Sequence, residues 1–155
     1  LGREQLKLLD KQIKKRNTTA NLYLNGLKDY YQKHDILKKP DFKCYTCPLK
    51  QSEKSCSKCT HAFYRLNLFI NKNKIKQLKL IKQLNKKKII CSIGACPEIY
   101  REKIFKKLKF YPKKRLPNAK LLGETSIMFP INPNKSLTKI KAEINSIKRI
   151  LNDYL

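Results

Sequence analysis

Apolar side chains recur at steps of three, four or seven through the first 33 residues: Leu6, Leu9, Ile13, Ala20, Leu24, Leu27 and Tyr31. That spacing holds one face of a 3.6-residue helix, so residues 1–33 are expected to form one long amphipathic helix. A helix of this length, polar on its other side, serves as a connector as readily as a core element. It has to end before Pro40, because proline lacks the amide donor and disfavours helix in the residue before it. After a polar, cysteine-rich stretch at 40–60 the period changes to two. In residues 61–70 (HAFYRLNLFI), Ala62, Tyr64, Leu66, Leu68 and Ile70 alternate onto one side of a strand.

Residues 75–84 read as a short lysine-rich helix, and 88–92 (KIICS) as a second strand closed by Gly94. Pro97 suits the first turn of a helix running to about residue 109. A proline-punctuated stretch follows, and residues 126–131 (SIMFPI) give a third strand, which Pro130 would confine to an edge or a short pairing. Ser136 is placed to cap a last helix in which Leu137, Ile140, Ile144, Ile147, Leu151 and Tyr154 repeat at three and four. The expected fold class is therefore α/β (α+β): a long helix, then a small three-stranded sheet with helices packed on it. No internal repeat interrupts that order.

The 155 residues suffice for one modest domain, or for a piece of something larger. The chain opens on Leu1 and runs almost at once into a helical pattern, which is how a fragment of a longer protein would begin. No apolar run is long enough to span a membrane, and no segment has a signal-peptide layout, so the expected compartment is the cytoplasm.

A net charge of +26 invites a polyanion partner, since clustered cations release counterions from phosphates. Of the 37 basic residues, however, 31 are Lys and 6 are Arg, and base-edge recognition favours the planar guanidinium fork. The lysines run along the whole chain, in company with abundant Ile and Asn. The charge reads as biased usage on solvated faces in preference to a nucleic-acid surface.

The six cysteines divide into two groups. Cys44, Cys47, Cys56 and Cys59 form C-x2-C-x8-C-x2-C, two knuckles able to direct four thiolates at one tetrahedral zinc ion. Four sulfurs would close such a site against water and make it structural. The same spacing fits free thiols in an inserted loop, or two disulfides in an oxidising compartment. Cys91 and Cys96 stand outside the pattern, and their x4 spacing has no particular thiol chemistry; a buried small hydrophobe is the ordinary role.

With the segments in place, the order resembles the C-terminal part of the DegT/DnrJ (StrS-type) family of pyridoxal-phosphate-dependent sugar aminotransferases. The opening GREQLKLLDKQIKKRNTTANLYLNGL is similar to the family's connecting helix, LxxLDxxIxxRxxNAxxYxxxL. HAFYR resembles the HAYYR or HxYH segment that follows a variable loop. CSIGACPEIYREKIF lines up without gaps with CFSGSCSEIYxEKxF, and RLPNAKLLGETSIMFPINP with RLPxAxxLGExSxMFxxHP. Ile93, Ala95 and Pro97 replace residues that are commonly serine in that pattern, and Asn132 replaces a histidine. Each change removes a possible polar contact near the sugar. The cysteine knuckles fall in the variable loop and look like an insertion.

The resemblance implies residues 1–35 as a connecting helix from a large domain and 36–155 as a small domain, with the cysteine-rich insertion at 40–60. It implies transfer of an amino group, usually from glutamate, to a keto group of a nucleotide-linked sugar, in a homodimer. The cofactor is pyridoxal phosphate. Its anchoring lysine, the acidic partner of its ring nitrogen and its phosphate-binding residues belong to the large domain, so this piece holds no catalytic residue and is expected to be inert alone. The implied substrate-binding residues are His61, at the start of the small-domain strand, and Gly94, in a loop that approaches the substrate. Arg115 could reach a phosphate or carboxylate; Glu98 and Tyr100 share the Gly94 motif. The competing reading is a small zinc-bearing, Lys-rich nucleic-acid-binding module, which uses the knuckles and the charge.

If the knuckles hold zinc, the chain purified without chelator carries about one equivalent, as read by metal analysis. Cys44→Ser with Cys56→Ser removes it and Cys91→Ser does not, and acid releases it as the thiolates protonate. Absence of metal under reducing conditions rejects the site.

Overall fold

Leu66, Leu68 and Ile70 are buried while Arg65 and Asn67 face solvent and Phe69 is half-buried, the alternation of a strand with one side on a core. This strand, β2 (Arg65–Ile70), is the long element of a four-stranded antiparallel sheet. The computed structural model describes residues 2–40, 60–94 and 96–155. The other strands are β1 (Leu37–Lys38), β3 (Ser92–Ile93) and β4 (Ser126–Pro130), in the order β1-β2-β4-β3. Of the three expected strands, 61–70 and 126–131 are present as β2 and β4, whereas the one expected at 88–92 is displaced: β3 holds only Ser92 and Ile93. The fourth, β1, is two residues long, too short for a period to show, and it pairs Leu37 with Ile70.

The N-terminal helical run is divided into α1 (Gly2–Lys7), α2 (Leu9–Gly26) and α3 (Lys28–Gln32). Its two halves differ in environment. Residues 2–11 are exposed, whereas Thr19, Ala20, Tyr23, Leu27 and Tyr30 are buried. The buried half packs on α7 (Leu137–Asn152), which Ser136 caps by accepting the Lys139 amide. Gly26 sits at that crossing: a Cβ there would lie 2.6 Å from Ile144 Cγ2. Polar ties accompany the contact. The Tyr23 hydroxyl donates to Glu143, which is ion-paired to Lys135 at 2.9 Å, and the Tyr30 hydroxyl donates to the Lys148 carbonyl at 3.0 Å. Burial and the adjacent carboxylate raise the Tyr23 phenol well above its ordinary value.

A third helix, α4 (Gln77–Lys86), packs against α7, β3 and β4, burying Leu80 and Leu84. The cross-strand pairs Leu66–Phe129 and Leu68–Ile127 form the sheet side of the core, and the Tyr23 ring stacks on Phe129 at 6.1 Å.

Four expectations are corrected. Of the two alternatives for Pro130, the edge does not hold, because β4 lies inside the sheet between β2 and β3, whereas the pairing to β3 is short, two residues long. The Ile131 amide donates to the Tyr64 carbonyl, so by alternation the Pro130 nitrogen points to the β3 side, beyond Met128, where β3 pairing has ended. The helix expected from Pro97 to about 109 is broken into a 3-10 turn (Ile99–Arg101) and α5 (Lys103–Lys107). Neither piece buries a residue, so no apolar stripe sustains a longer helix. The proline-punctuated stretch contains α6 (Pro117–Thr125), which starts with Pro at the first position, where its missing donor costs nothing. The alternation also slips before β2: Phe63 has φ 42°, and it is Phe63, not Ala62 or Tyr64, that is buried.

Ile147 is 2% exposed in the α7 core face and Leu137 is 58% exposed on the same helix. Ile147→Ala is expected to lose about 2–5 kcal/mol of unfolding free energy, and Leu137→Ala to stay within about 0.5 kcal/mol. Urea unfolding followed by circular dichroism measures both.

Candidate functional site

His61 lies just ahead of β2 and is tied down on both sides. Its Nδ1 accepts the Phe63 amide at 2.9 Å, its ring packs at 4.2 Å from the Phe63 ring, and its carbonyl accepts the Asn17 side-chain amide at 2.6 Å. A neutral imidazole whose Nδ1 accepts carries its proton on Nε2.

Gly94 occupies the other end of the sheet. Ile93 pairs with Ile127, which brings Gly94 level with Ser126, whereas Arg65, four residues after His61, pairs with Pro130. With about 3.3 Å per strand residue, the two ends of β4 are about 13 Å apart. The structure therefore does not gather His61 and Gly94 around one point within this chain. The need for glycine at 94 comes from packing: a Cβ there would meet Ser126 Oγ at 2.6 Å.

Arg115 joins the Gly94 end, as part of a carboxylate clamp. Its Nε and Nη2 donate to the two oxygens of Glu98 at 2.6 and 2.5 Å, a bidentate fork. The Tyr100 hydroxyl donates to Glu98 Oε1 at 2.7 Å and accepts the Leu116 amide at 3.1 Å; Arg101 lies 3.6 Å from Oε2. The Glu98 side chain is 13% exposed. The Arg115 bond, the Tyr100 bond and the two guanidinium charges hold its carboxyl down at about 2, against some opposition from desolvation. The clamp joins the segment after Gly94 to the start of α6, and the same segment is gripped again where Pro97 packs on Gly123; a Cβ at 123 would lie 2.7 Å from Pro97 Cγ. Arg115, a candidate phosphate ligand by sequence, is thus engaged by Glu98. Cys96, Glu102 and Lys106 line a cleft of about 390 Å³ beside it.

The four knuckle cysteines lie outside the described residues, and no cluster of metal-ligating side chains occurs among the described ones. Cys91 is buried, as a small apolar side chain is, and burial pushes its thiol up to about 12; Cys96 is exposed. Every described lysine is exposed except Lys135 and Lys148, which are half-buried, and Lys135 is paired to Glu143. The described residues therefore include no enclosed amine suited to anchoring a carbonyl cofactor. None of the described helices is long and apolar enough to cross a membrane.

The sequence model of the DegT/DnrJ/EryC1/StrS aminotransferase family matches residues 1–148. The chain belongs to this family. Its fold is similar to that of an aminotransferase from Psychrobacter cryohalolentis, with a TM-score of 0.84 and 28% identity over 99% of this chain and 38% of that one. It is also similar to Helicobacter pylori PseC, an aminotransferase involved in the biosynthesis of pseudoaminic acid (TM-score 0.74, 16% identity, 99% of this chain, 36% of that one). A third is the E. coli GDP-4-keto-6-deoxy-D-mannose-3-dehydratase, solved with hydrated PLP (TM-score 0.67, 19% identity, 94% and 33%). This family member thus spans between a third and two fifths of the length of those enzymes. No curated protein sequence matches it.

Glu98 and Ser126, which shape the Gly94 end, have no sequence signal that pairs them with their partners: Glu98 and Arg115 are 17 residues apart on different elements. The depressed Glu98 value means that the clamp stabilises the fold above its ordinary 4.5 and that the stabilisation is lost as pH falls toward 2. Glu98→Gln is accordingly expected to lower the urea midpoint at pH 6, with the difference from wild type shrinking as pH is lowered to 3. A pH-independent difference would assign the effect to packing.

Proposed function

We propose that this chain is the substrate-positioning small domain of an aminotransferase that acts on a nucleotide-linked keto-sugar in the cytoplasm, with glutamate as the amino donor and a homodimer as the working form. Family membership over residues 1–148 is the observation that carries the reading. The substrate class is supported by the names of two neighbours, one acting on a GDP-linked keto-sugar and one in pseudoaminic acid biosynthesis. Residues 1–35 act as the connecting helix, and the exposed Leu6, Leu8 and Leu9 are the apolar contacts that the large domain covers.

Pyridoxal phosphate, when bound by that large domain, supplies the electron sink. This chain's own residues bind and orient the sugar. His61 offers its Nε2 proton to a sugar or phosphate oxygen. The clamp of Glu98 and Arg115 holds the loop at Gly94 in one conformation, so that loop backbone meets the substrate without rearrangement. The four knuckle cysteines hold one structural zinc apart from this chemistry, and the chain alone is inert.

In the enzyme that joins this chain to its cofactor domain, His61→Ala removes a hydrogen bond to a charged group, which is worth about 1.5–3 kcal/mol. The expected fall in kcat/KM is roughly 10- to 150-fold, with the cofactor absorbance unchanged. His34→Ala, on the α3–β1 turn, is expected to cost less than about twofold. Equal losses at both positions would reject a substrate role for His61. A single lysine of the isolated chain labelled stoichiometrically by pyridoxal phosphate and borohydride would reject the division of labour between domains.

A further inference from the structure

The bidentate pair of Arg115 and Glu98 and the bond from the Leu116 amide to the Tyr100 hydroxyl close the base of a loop, residues 99–114. Within the loop the backbone is tied again. After α5 comes a left-handed residue, Lys109 at φ 58°; its amide donates to the Lys106 carbonyl at 3.2 Å, and the Phe110 amide donates to the Phe105 carbonyl at 2.9 Å. These two bonds are a helix-ending pair that usually has glycine at its left-handed position. The loop therefore has a defined shape, and that shape holds apolar side chains out in water. Ile104 is 55% exposed, Leu108 53%, Phe110 71% and Tyr111 51%. Ile104 and Leu108, four residues apart, share one side of the α5 turn, and Phe110 and Tyr111 follow directly on its end.

Cationic side chains surround this apolar group. Residues 103–115 carry six lysines, one arginine and no acidic residue. Lys103, Lys106, Lys107, Lys109, Lys113 and Lys114 are all exposed, and among the described residues none has a carboxylate partner, whereas Arg115 is held by Glu98. Apolar side chains within a rim of unpaired cations call for a partner that offers hydrocarbon and negative charge together. A second copy of this chain brings the same cations and a net charge of +26, so the two faces repel. A single-stranded nucleic acid engages lysines and rings but leaves Ile104 and Leu108 in water. A bilayer with anionic headgroups answers both halves: apolar side chains enter the acyl boundary while lysine stems extend to the phosphates.

We propose that the loop of residues 99–114 is a peripheral docking site for an anionic phospholipid surface. Ile104, Leu108, Phe110 and Tyr111 are its inserted side chains, and the six lysines are its headgroup contacts. The clamp keeps the loop folded at its base, so docking orders little new chain. Because the loop leaves from the segment after Gly94, that end of the sheet faces the bilayer. The docking site does not depend on the sugar chemistry proposed above.

The chain contains no Trp, so one introduced indole reports its own surroundings. Phe110→Trp is the reporter, and Leu137→Trp, at another exposed position beyond the opposite end of β4, is its comparison. With vesicles of phosphatidylcholine and phosphatidylglycerol at about 150 mM salt, the Phe110→Trp emission is expected to shift to shorter wavelength and to be quenched by acyl-brominated lipid. The Leu137→Trp emission is not quenched, and pure phosphatidylcholine changes neither. In the otherwise unaltered chain, Ile104→Ser with Leu108→Ser weakens vesicle sedimentation about tenfold. Lys113→Gln with Lys114→Gln weakens it more than Lys86→Gln with Lys87→Gln. Equal quenching of both reporters is the adhesion of any strongly cationic chain and overturns the site, as do absent quenching and equal weakening by the two lysine pairs. A Phe110→Trp response to polyuridylate without lipid quenching assigns the loop to nucleic acid instead. Dimerisation that Ile104→Ser with Leu108→Ser abolishes, again without lipid quenching, assigns it to a second copy. The enzyme that joins this chain to its cofactor domain is expected to show the same quenching; its loss there means that the large domain covers the loop, and overturns the lipid site.

Discussion

The five paired positions of β2 and β4, from Arg65–Pro130 to Phe69–Ser126, set the geometry on which the other contacts depend. Their inward pairs, Leu66–Phe129 and Leu68–Ile127, give α2, α4 and α7 the apolar side they cover. A slip of one residue would turn those side chains to solvent, so burial locks the register. The same register carries His61 to one end of the sheet and Gly94 to the other. Neither residue is positioned by its own interactions alone; each is held at the end of a ladder that the core refuses to shift.

The helical layer shows how this small domain combines close approach with polar anchoring. Gly26 admits Ile144 at the α2–α7 crossing, and Tyr23 and Tyr30 reach across to Glu143 and the Lys148 carbonyl. Burying phenol groups is favourable only because each finds a partner there. At the opposite end of the chemistry, Glu98 collects Arg115, Tyr100 and Arg101 on one carboxylate. Most lysines stay solvated, so the high positive charge is carried by the surface, and the two places where arginines gather differ in kind. One is neutralised by Glu98; the other, at Tyr64, has no carboxylate partner among the described residues.

Much was legible from the pattern alone. The three- and four-residue spacing of Ile140, Ile144, Ile147 and Leu151, with Ser136 ahead of it, is local information, and α7 forms where that spacing and cap require. The alternation of Leu66, Leu68 and Ile70 likewise settles β2, and the family motifs around 91–105 and 115–133 are strings of adjacent residues. These features depend on neighbours within a turn or two of the chain, which is why a sequence carries them.

Other features depend on partners that are distant in the chain. The helix face of Leu6 and Leu9 continues the pattern of Ala20 and Leu27, yet only the later half is buried, because only that half meets α7. Pro130 forbids a donor on one side of a strand, and the place where β3 stops decides that the missing donor is not needed. The destination of Arg115 was open to a phosphate until folding brought Glu98 within 2.5 Å. Local spacing determined α4, α7 and the main strand, and strings of adjacent residues carried the family; tertiary structure decided which apolar faces are covered, which glycine is required by packing and which arginine is taken up by a carboxylate. The physical reason is that a hydrophobic period is written along one segment, whereas an ion pair or a steric contact exists only between two.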